Sequence, residues 1–271
     1  MIHVPTAPWA HLVFDALAWG SSALLGMALH RWRLQQSAER LAYIAGPGYF
    51  LSLAAGAVPG AWLAGSFNTF RSLAAGLSHS VVGALAGAIV GVELYKMVRG
   101  VKGSTGSIFV GPCSLGISVG RWGCLFAGLS DFTYGTPTTL PWGVDLGDGV
   151  SRHPVQIYES LAMAAFLAMY ILALARREDW AYRRGFYAMA AWYGAQRFVW
   201  EFIKPYPTLI GPLNVFHVIC LGISVYGCAF FIRSLRHERR TEERAIPVLR
   251  TNDEPVRNLS GAGAGQGGRR E

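Results

Sequence analysis

Charged side chains are scarce in this chain. Only 15% of its 271 residues are Asp, Glu, Lys or Arg, whereas 52% are hydrophobic; a soluble domain ordinarily has about 25% charged residues. The hydrophobic residues form blocks of roughly 17 to 25 residues, the length that crosses a bilayer. These blocks mostly lack the polar stripes of a soluble helical bundle. The sequence therefore predicts an all-α integral membrane protein.

Motifs that mark several enzyme and binding classes are missing. There is no HExxH zinc motif, no Walker loop, and no nucleic-acid-binding motif beside the basic residues. The cysteines form no CxxC pair, so they are interpreted as small buried residues rather than a disulfide frame or a zinc site. The sequence therefore predicts no metal, no other cofactor and no nucleic-acid partner. The cysteines are Cys113, Cys124, Cys220 and Cys228.

Seven apolar segments predict seven transmembrane helices within a domain of residues 1–240. The first segment carries Asp15 and follows no basic region, so it is expected to be a membrane helix and not a cleaved signal peptide. The fourth contains Pro112 and several glycines, so irregular backbone is expected there, packed in protein or lining a cavity. The segments are Leu12–Leu29, Leu41–Leu63, Leu73–Val98, Ser107–Gly128, Val155–Ala175, Gly185–Ile203 and Leu209–Ile232.

Most of the 24 Lys and Arg residues fall in alternate loops and in the C-terminal tail. The opposite loops hold only Arg71, Arg152 and Lys204, which predicts an outside N-terminus and a cytoplasmic C-terminus. The loop of residues 129–154, with a short hairpin expected in its middle, then lies on the non-cytoplasmic side. ATP is not available on that side of the membrane, which favours a reaction that draws its energy from a bond in the substrate. The tail of residues 241–271, basic and Gly-rich, is predicted to be disordered.

Arg121 lies within the fourth apolar segment, where an unpaired arginine costs about 2.5 kcal/mol or more. A buried ion pair with Glu159, Asp131 or Glu201 is one interpretation. The other is a phosphate contact, because a guanidinium fork suits phosphate. The glycines beside Arg121 favour phosphate, since they allow backbone N–H groups to approach an anion.

Arg197 lies within the sixth segment, four residues before Glu201 and four after Tyr193. All three therefore share one helical face. An intrahelical ion pair and a functional polar stripe are both open interpretations, since ionisable groups inside a membrane helix often mark a functional site.

His79 lies near the start of the third segment, at the predicted depth of the loop 129–154. A hydrogen-bonded structural histidine is the ordinary interpretation, and a proton acceptor is the functional one. The glycines Gly83, Gly87 and Gly91 that follow predict close helix packing.

The stretch RHPVQIYE leads from the loop into the fifth segment. Gln156 and Glu159 share a helical face there, and Pro154 can occupy the first helical turn. Asp145 and Asp148, just before this stretch, are expected to form turns rather than to take part in catalysis.

Taken in order, these motifs resemble the bacterial prolipoprotein diacylglyceryl transferases. The set comprises His79, GRWG at 120–123, RHPVQIYE at 152–159 and YGAQRFVWE at 193–201. The resemblance implies transfer of the diacylglyceryl group of phosphatidylglycerol to the lipobox cysteine of a prolipoprotein. It also implies release of glycerol phosphate at the periplasmic face of the bacterial inner membrane, without a metal.

The same resemblance implies roles for individual residues. The two arginines would hold the lipid phosphate, and the histidine would accept the thiol proton. The implied catalytic residues are His79, Arg121, Tyr193 and Arg197. The predicted substrate-binding residues, of which the resemblance itself implies Gly135, are Gly120, Gly123, Cys124, Asp131, Gly135, Arg152, His153, Gln156, Glu159 and Glu201.

The chain departs from the family pattern at several of these positions. The family signature continues G-R-x-G-N-F-x-N-G-E, whereas this chain has Cys124 and Ala127 in place of the asparagines, with Asp131 as the nearest acidic residue. Trp19 stands where the family has a tyrosine, and Lys204 stands where it has an arginine. Two alternatives are therefore kept: an enzyme of the same fold with another headgroup or acceptor, and a lipid-binding protein without turnover.

Overall fold

In the computed structural model, residues 1–72 and 77–252 are described, with side chains described as far as residue 237. The chain divides into two compact units, Met1–Ile232 and Arg233–Glu271, and the features below belong to the first. The long helices are α1 Ala10–Leu29, α2 Gln35–Arg71, α3 Val81–Arg99, α4 Ser107–Ala127, α5 Val155–Ala175, α7 Gly185–Glu201 and α8 Val215–Asn252. The short elements are strand β1 Ile2–His3, a π-helical turn His30–Leu34, a 3-10 turn Gly128–Asp131, strands β2 Val144–Asp145 and β3 Ser151–Arg152, and α6 Asp179–Arg183.

Five helical stretches in the described part of the chain are long and apolar enough to cross a membrane. The helical class, with long apolar helices, is thereby confirmed, while the count of seven spans and the outside N-terminus stay predictions. α7 has 17 residues, fewer than any of the other long helices. The five stretches are Ala10–Arg71, Val81–Arg99, Ser107–Asp131, Val155–Ala175 and Val215–His237.

The prediction of a loop between the first two segments is wrong. A π-helical turn, His30–Leu34, joins α1 directly to α2, so the basic residues there lie on helix. The main break comes later, at Gly46, whose φ of 48° leaves the helical region just before Pro47. Glycine tolerates positive φ, and the residue before a proline avoids the helical conformation.

The fourth segment, expected to be irregular, is one continuous helix, α4. Its glycines accommodate α1: a Cβ at Gly111 would meet Leu29, and a Cβ at Gly123 would meet Phe14. Ser22 of α1 donates a hydrogen bond to the Pro112 carbonyl at 2.9 Å. The glycines of α4 thus let two helices approach each other, rather than breaking the backbone to admit an anion.

The glycines of α3 pack against glycines of α2, as the sequence predicts. Gly83 faces Gly60, and Gly87 faces Gly56, so closely that a Cβ at either α3 position would overlap a backbone carbonyl of α2. Small residues at this spacing give close van der Waals contact between membrane helices.

The expected hairpin forms from β2 and β3, which pair antiparallel, and β1 adds to β2 in parallel. Asp145 Oδ1 accepts hydrogen bonds from the backbone N–H groups of Gly147, Asp148 and Gly149 at 2.9, 3.2 and 3.0 Å. The turn-forming role predicted for Asp145 is therefore confirmed. These N–H groups, that of Gly147 foremost, lower the pKa of Asp145 below its ordinary value.

The apolar core lies where α4, α5, α7 and α8 meet, around Val110, Phe166, Met189 and Cys220. The seventh predicted span begins later than expected, because α8 starts at Val215. The predicted disordered tail overlaps α8 as far as Asn252, and the rest of it lies outside the described residues, so that disorder stays a prediction.

Gly87→Ala is expected to lower the melting temperature, because the new methyl group would collide with the Gly56 carbonyl. Overpacking of this kind typically costs about 1–3 kcal/mol. Gly20→Ala, on the open side of α1 with no atom near its added Cβ, is the matched control and should be neutral or slightly stabilising. Equal melting temperatures for the two variants in detergent would contradict close packing of α2 on α3.

Asp145→Asn is expected to destabilise the protein near neutral pH and much less in acid. The folded pKa of Asp145 is lowered, so its stabilising effect is present above the unfolded value of about 3.9 and is lost as pH falls through the folded value. The measurement is the difference in melting temperature from wild type at about pH 7 and about pH 3. Exposed Asp179, changed to Asn, is the control, and a difference for Asp145→Asn that does not shrink in acid would contradict the charge-based account.

Candidate active site

A buried ion-pair cluster connects α4, α5 and α7. Arg121 of α4 has its Nε 2.5 Å from Glu159 Oε2, and Arg197 of α7 donates from Nη1 to the same oxygen at 2.9 Å. The side chains of all three residues are less than 10% exposed. Of the interpretations left open for Arg121, the ion pair with Glu159 is therefore the one that the structure contains.

A third cation enters the cluster from the segment after α7. Lys204 donates from Nζ to Glu159 Oε1 at 2.6 Å and to Glu201 Oε1 at 3.1 Å. Arg197 Nε lies 2.7 Å from the same Glu201 oxygen, and Asn214 donates to Glu201 Oε2 at 3.2 Å. Three cations thus meet two carboxylates, and the cluster keeps one surplus positive charge.

Unpaired polar atoms lie on the same helical faces. Tyr193 is one turn before Arg197, and Gln156 is one turn before Glu159; both are 1% exposed. The Tyr193 hydroxyl and the Gln156 Nε2 have no hydrogen-bond partner among the described residues. Buried polar groups in native proteins are nearly always paired. We interpret these two donors as groups that a ligand oxygen can satisfy.

A second polar group lies beside Arg121, between α4 and α1. Cys124 Sγ is 3.7 Å from Arg121 Nη1 and 3.8 Å from His11 Nε2. His11 Nε2 is 3.2 Å from Asp131 Oδ1, and His11 Nδ1 is 2.9 Å from Asp15 Oδ2. The sequence reasoning missed His11. The available signal was a histidine and an aspartate four residues apart at the start of an apolar segment.

His79 lies away from these contacts. α3 begins only at Val81, with Ser80 as its N-cap, so His79 precedes the helix instead of lying in its first turn. Its ring packs against Trp62 of α2 at 5.9 Å. Across residues 1–72 and 77–237, no hydrogen bond or ion pair joins His79 to Arg121 or Arg197.

The remaining residues assigned to substrate binding contact the loop or α1. Arg152 forms a two-pronged ion pair with Asp148 at 2.6 and 2.7 Å. Gly135 lies so close to the His153 carbonyl that a Cβ would overlap it. Gly120 and Gly123 both face α1, and at Gly123 an added Cβ would overlap Phe14, so α1 fills the space beside that glycine.

The buried cluster suits binding of an anion more than attack by a nucleophile. Two guanidinium forks and an ammonium group surround the carboxylates, and forks of this kind match the oxygens of phosphate. Positive charge fixed in a low-dielectric interior stabilises negative charge that develops during a reaction. The geometry therefore supports phosphate binding and stabilisation of an anionic leaving group.

Comparison with known proteins gives one consistent result. Residues 16–233 match the family model described as prolipoprotein diacylglyceryl transferase. A phosphatidylglycerol–prolipoprotein diacylglyceryl transferase of Finegoldia magna is 30% identical over 138 residues, 51% of this chain and 53% of that protein. The Geobacter sulfurreducens protein of that name is 33% identical over 122 residues, 41% of this chain and 45% of its own length. The chain spans about half the length of these curated relatives.

Glu159→Gln is expected to destabilise the folded protein strongly, because three buried cations would share the single carboxylate of Glu201. Removing one partner of a buried pair typically costs about 3–5 kcal/mol. The measurement is the midpoint of thermal unfolding in detergent. Exposed Glu39, changed to Gln, is the control and should stay within about 0.5 kcal/mol of wild type. If Glu159→Gln matched that control, the buried cluster would not be a determinant of stability.

Proposed function

The chain belongs to the prolipoprotein diacylglyceryl transferase family, and on that premise we propose that it transfers the diacylglyceryl group of phosphatidylglycerol to the thiol of a prolipoprotein's lipobox cysteine. The observation that carries the proposal is the convergence of Arg121 and Arg197, from different helices, on one oxygen of Glu159. Two forks that meet at one anionic oxygen can also meet at a phosphate. Family membership supports a membrane-embedded transferase; the donor lipid and the acceptor are our proposals.

The proposed reaction is a displacement at the glycerol carbon that bears the phosphate. The acceptor thiol loses a proton, its sulfur forms a bond to that carbon, and the carbon–oxygen bond to phosphate breaks. Glycerol phosphate leaves with the bonding electrons, so its phosphate goes from one negative charge to nearly two. The surplus positive charge of the cluster would stabilise this second negative charge as it develops on the leaving group.

Glu159 and Glu201 have a positioning role in this proposal. They hold Arg121, Arg197 and Lys204 in place before substrate arrives, so the cations need little rearrangement when charge develops. The unpaired Tyr193 hydroxyl and Gln156 amide are the donors that we assign to the headgroup oxygens. Donors already fixed by packing lose little conformational entropy on binding.

An apolar groove of about 480 Å³ opens between α2, α3 and α8. Its lining carries almost no polar surface, and it is open rather than enclosed. We assign one or both acyl chains of the donor lipid to this groove, because apolar chains bind there without stranding a polar group. Leu63, Phe67 and Val90 are among its lining residues.

Proton removal by His79 rests on the resemblance alone, since no described hydrogen bond or ion pair joins it to the arginines. The distribution of basic residues supports a site on the non-cytoplasmic side, where the signal peptide of a prolipoprotein would be the acceptor substrate.

A second candidate is the same displacement with another headgroup or another acceptor thiol. Cys124 favours it, because this side chain contacts Arg121 at the position where the family has an asparagine. A thiol is a much weaker hydrogen-bond donor and acceptor than an amide, so a headgroup bound at Arg121 would meet different chemistry there.

Arg121→Lys and Arg197→Lys are each expected to lower the transfer rate at least about 100-fold, because an ammonium group keeps the charge but loses the fork that matches phosphate. The assay uses the purified protein in micelles with phosphatidylglycerol and a lipobox peptide, and measures release of glycerol phosphate and the mass of the modified peptide. Exposed Arg71, which donates to the Thr208 carbonyl, gives the control Arg71→Lys.

Folding is checked for each variant by its melting temperature. Wild-type rates in both lysine variants would exclude binding of the lipid phosphate by the guanidinium groups of Arg121 and Arg197. Release from a different phospholipid only, with both variants inactive, would favour the second candidate. If no phospholipid is turned over, the transferase proposal fails and lipid binding without turnover remains.

A further inference from the structure

Three potential metal ligands from distant parts of the sequence converge beside Arg121. His11 lies in the first turn of α1, Cys124 near the end of α4, and Asp131 at the end of the 3-10 turn that follows α4. One ligand atom from each residue lies within 4.8 Å of the other two. From this convergence we propose that His11, Cys124 and Asp131 bind a Zn²⁺ ion, a site that the family resemblance does not include.

The two separations between His11 and the other ligand atoms are close to those of a tetrahedral ion. Zn–N near 2.0 Å and Zn–S near 2.3 Å place tetrahedral ligands about 3.3 Å apart for nitrogen and oxygen, and about 3.6 Å apart for nitrogen and sulfur. His11 Nε2 is 3.2 Å from Asp131 Oδ1 and 3.8 Å from Cys124 Sγ. Both separations are within a few tenths of an ångström of those values, and the ligand atoms of Cys124 and Asp131 lie within 4.8 Å of each other.

Each ligand also has a partner on its outer side. Asp15 Oδ2 lies 2.9 Å from His11 Nδ1, which orients the ring with Nε2 toward the site. Thr133 donates to Asp131 Oδ2 at 2.5 Å, leaving Oδ1 for the ion, and Arg121 Nη1 is 3.7 Å from Cys124 Sγ. A carboxylate behind a ligating histidine, and hydrogen bonds to the other ligands, are the usual second shell of a protein metal site.

The charges and the exposure of the site suit the ion as well. A thiolate and a carboxylate balance the two charges of Zn²⁺, so the loaded site would be close to neutral and compatible with Arg121 beside it. Thiolate, imidazole and carboxylate together favour zinc over magnesium or calcium. The side chains of His11 and Asp131 are 28% and 14% exposed, which gives an ion a path in while Cys124 stays buried.

Three protein ligands leave a fourth tetrahedral position open, as in zinc sites that bind a substrate oxygen or water. If the transferase proposal holds, the ion would lie beside the proposed phosphate contact, because Arg121 Nη1 is 3.7 Å from Cys124 Sγ. That consequence rests on the proposed function, whereas metal binding itself does not. Binding can therefore be tested without any lipid or acceptor.

The experiment is a titration of the purified, chelator-treated full chain in micelles with Co²⁺, followed by displacement with Zn²⁺. We expect one equivalent of Co²⁺ to give the visible bands of a tetrahedral ion and a near-ultraviolet band from thiolate ligation, both lost on adding Zn²⁺. Cys124→Asn, the family residue, and Cys124→Ser should both lose the thiolate band. Cys228→Ser, on an exposed cysteine of α8, is the matched control and should keep it.

Asp15→Asn tests the second shell, and we expect it to weaken Zn²⁺ binding about 10- to 100-fold while the thiolate band is kept. Melting temperatures without metal exclude unfolding as the cause of any loss. A wild-type protein without a thiolate band, or a band that survives both Cys124 variants, would overturn the proposal.

Discussion

The carboxylate of Glu159 is the contact on which the buried cluster depends. It receives Arg121 from α4, Arg197 from α7 and Lys204 from the segment after α7, at 2.5 to 2.9 Å. In a low-dielectric interior no one of these cations is tolerable without an anion near it. One carboxylate thus fixes the mutual positions of three chain segments. It also leaves the cluster one positive charge in excess, because Glu201 supplies the only other negative charge among the described side chains of the cluster.

The packing of α1 on α4 decides what surrounds Arg121. Glycines on α4 let α1 approach closely, with Phe14 over Gly123 and Leu29 over Gly111. This approach places His11 within 3.8 Å of Cys124. A side chain larger than glycine at position 123 would push α1 away and separate the histidine from the thiol. The close packing of α1 on α4 therefore also determines which polar side chains lie beside Arg121.

Much of this could be predicted from the sequence, and the failures have physical causes. Hydropathy and block length indicated a helical membrane protein, and the spacing of Gly83 and Gly87 indicated close packing on a partner helix. Glycines in α4 were interpreted as breaks, although a glycine costs a helix only about 1 kcal/mol, which tight packing can offset. Arg197 and Glu201 could be paired from their spacing of four. The pairing of Arg121 with Glu159, and of His11 with Cys124, depends on tertiary contacts that no local pattern encodes.

Cys124 contacts both Arg121 of the buried ion-pair cluster and His11 of the polar group between α1 and α4. The chemistry of its side chain therefore affects both groups. An asparagine at this position could bond Arg121 and a headgroup oxygen through a neutral amide. A thiol does this poorly, yet as a thiolate it is a strong ligand for a soft metal ion. Replacing the amide therefore removes a neutral hydrogen-bonding group from beside Arg121 and places a thiol near His11. An ion bound there would add positive charge beside Arg121, whose own charge the substitution leaves unchanged. The exchange of an amide for a thiol would then weaken hydrogen bonding at this position while adding a cation next to the proposed phosphate contact.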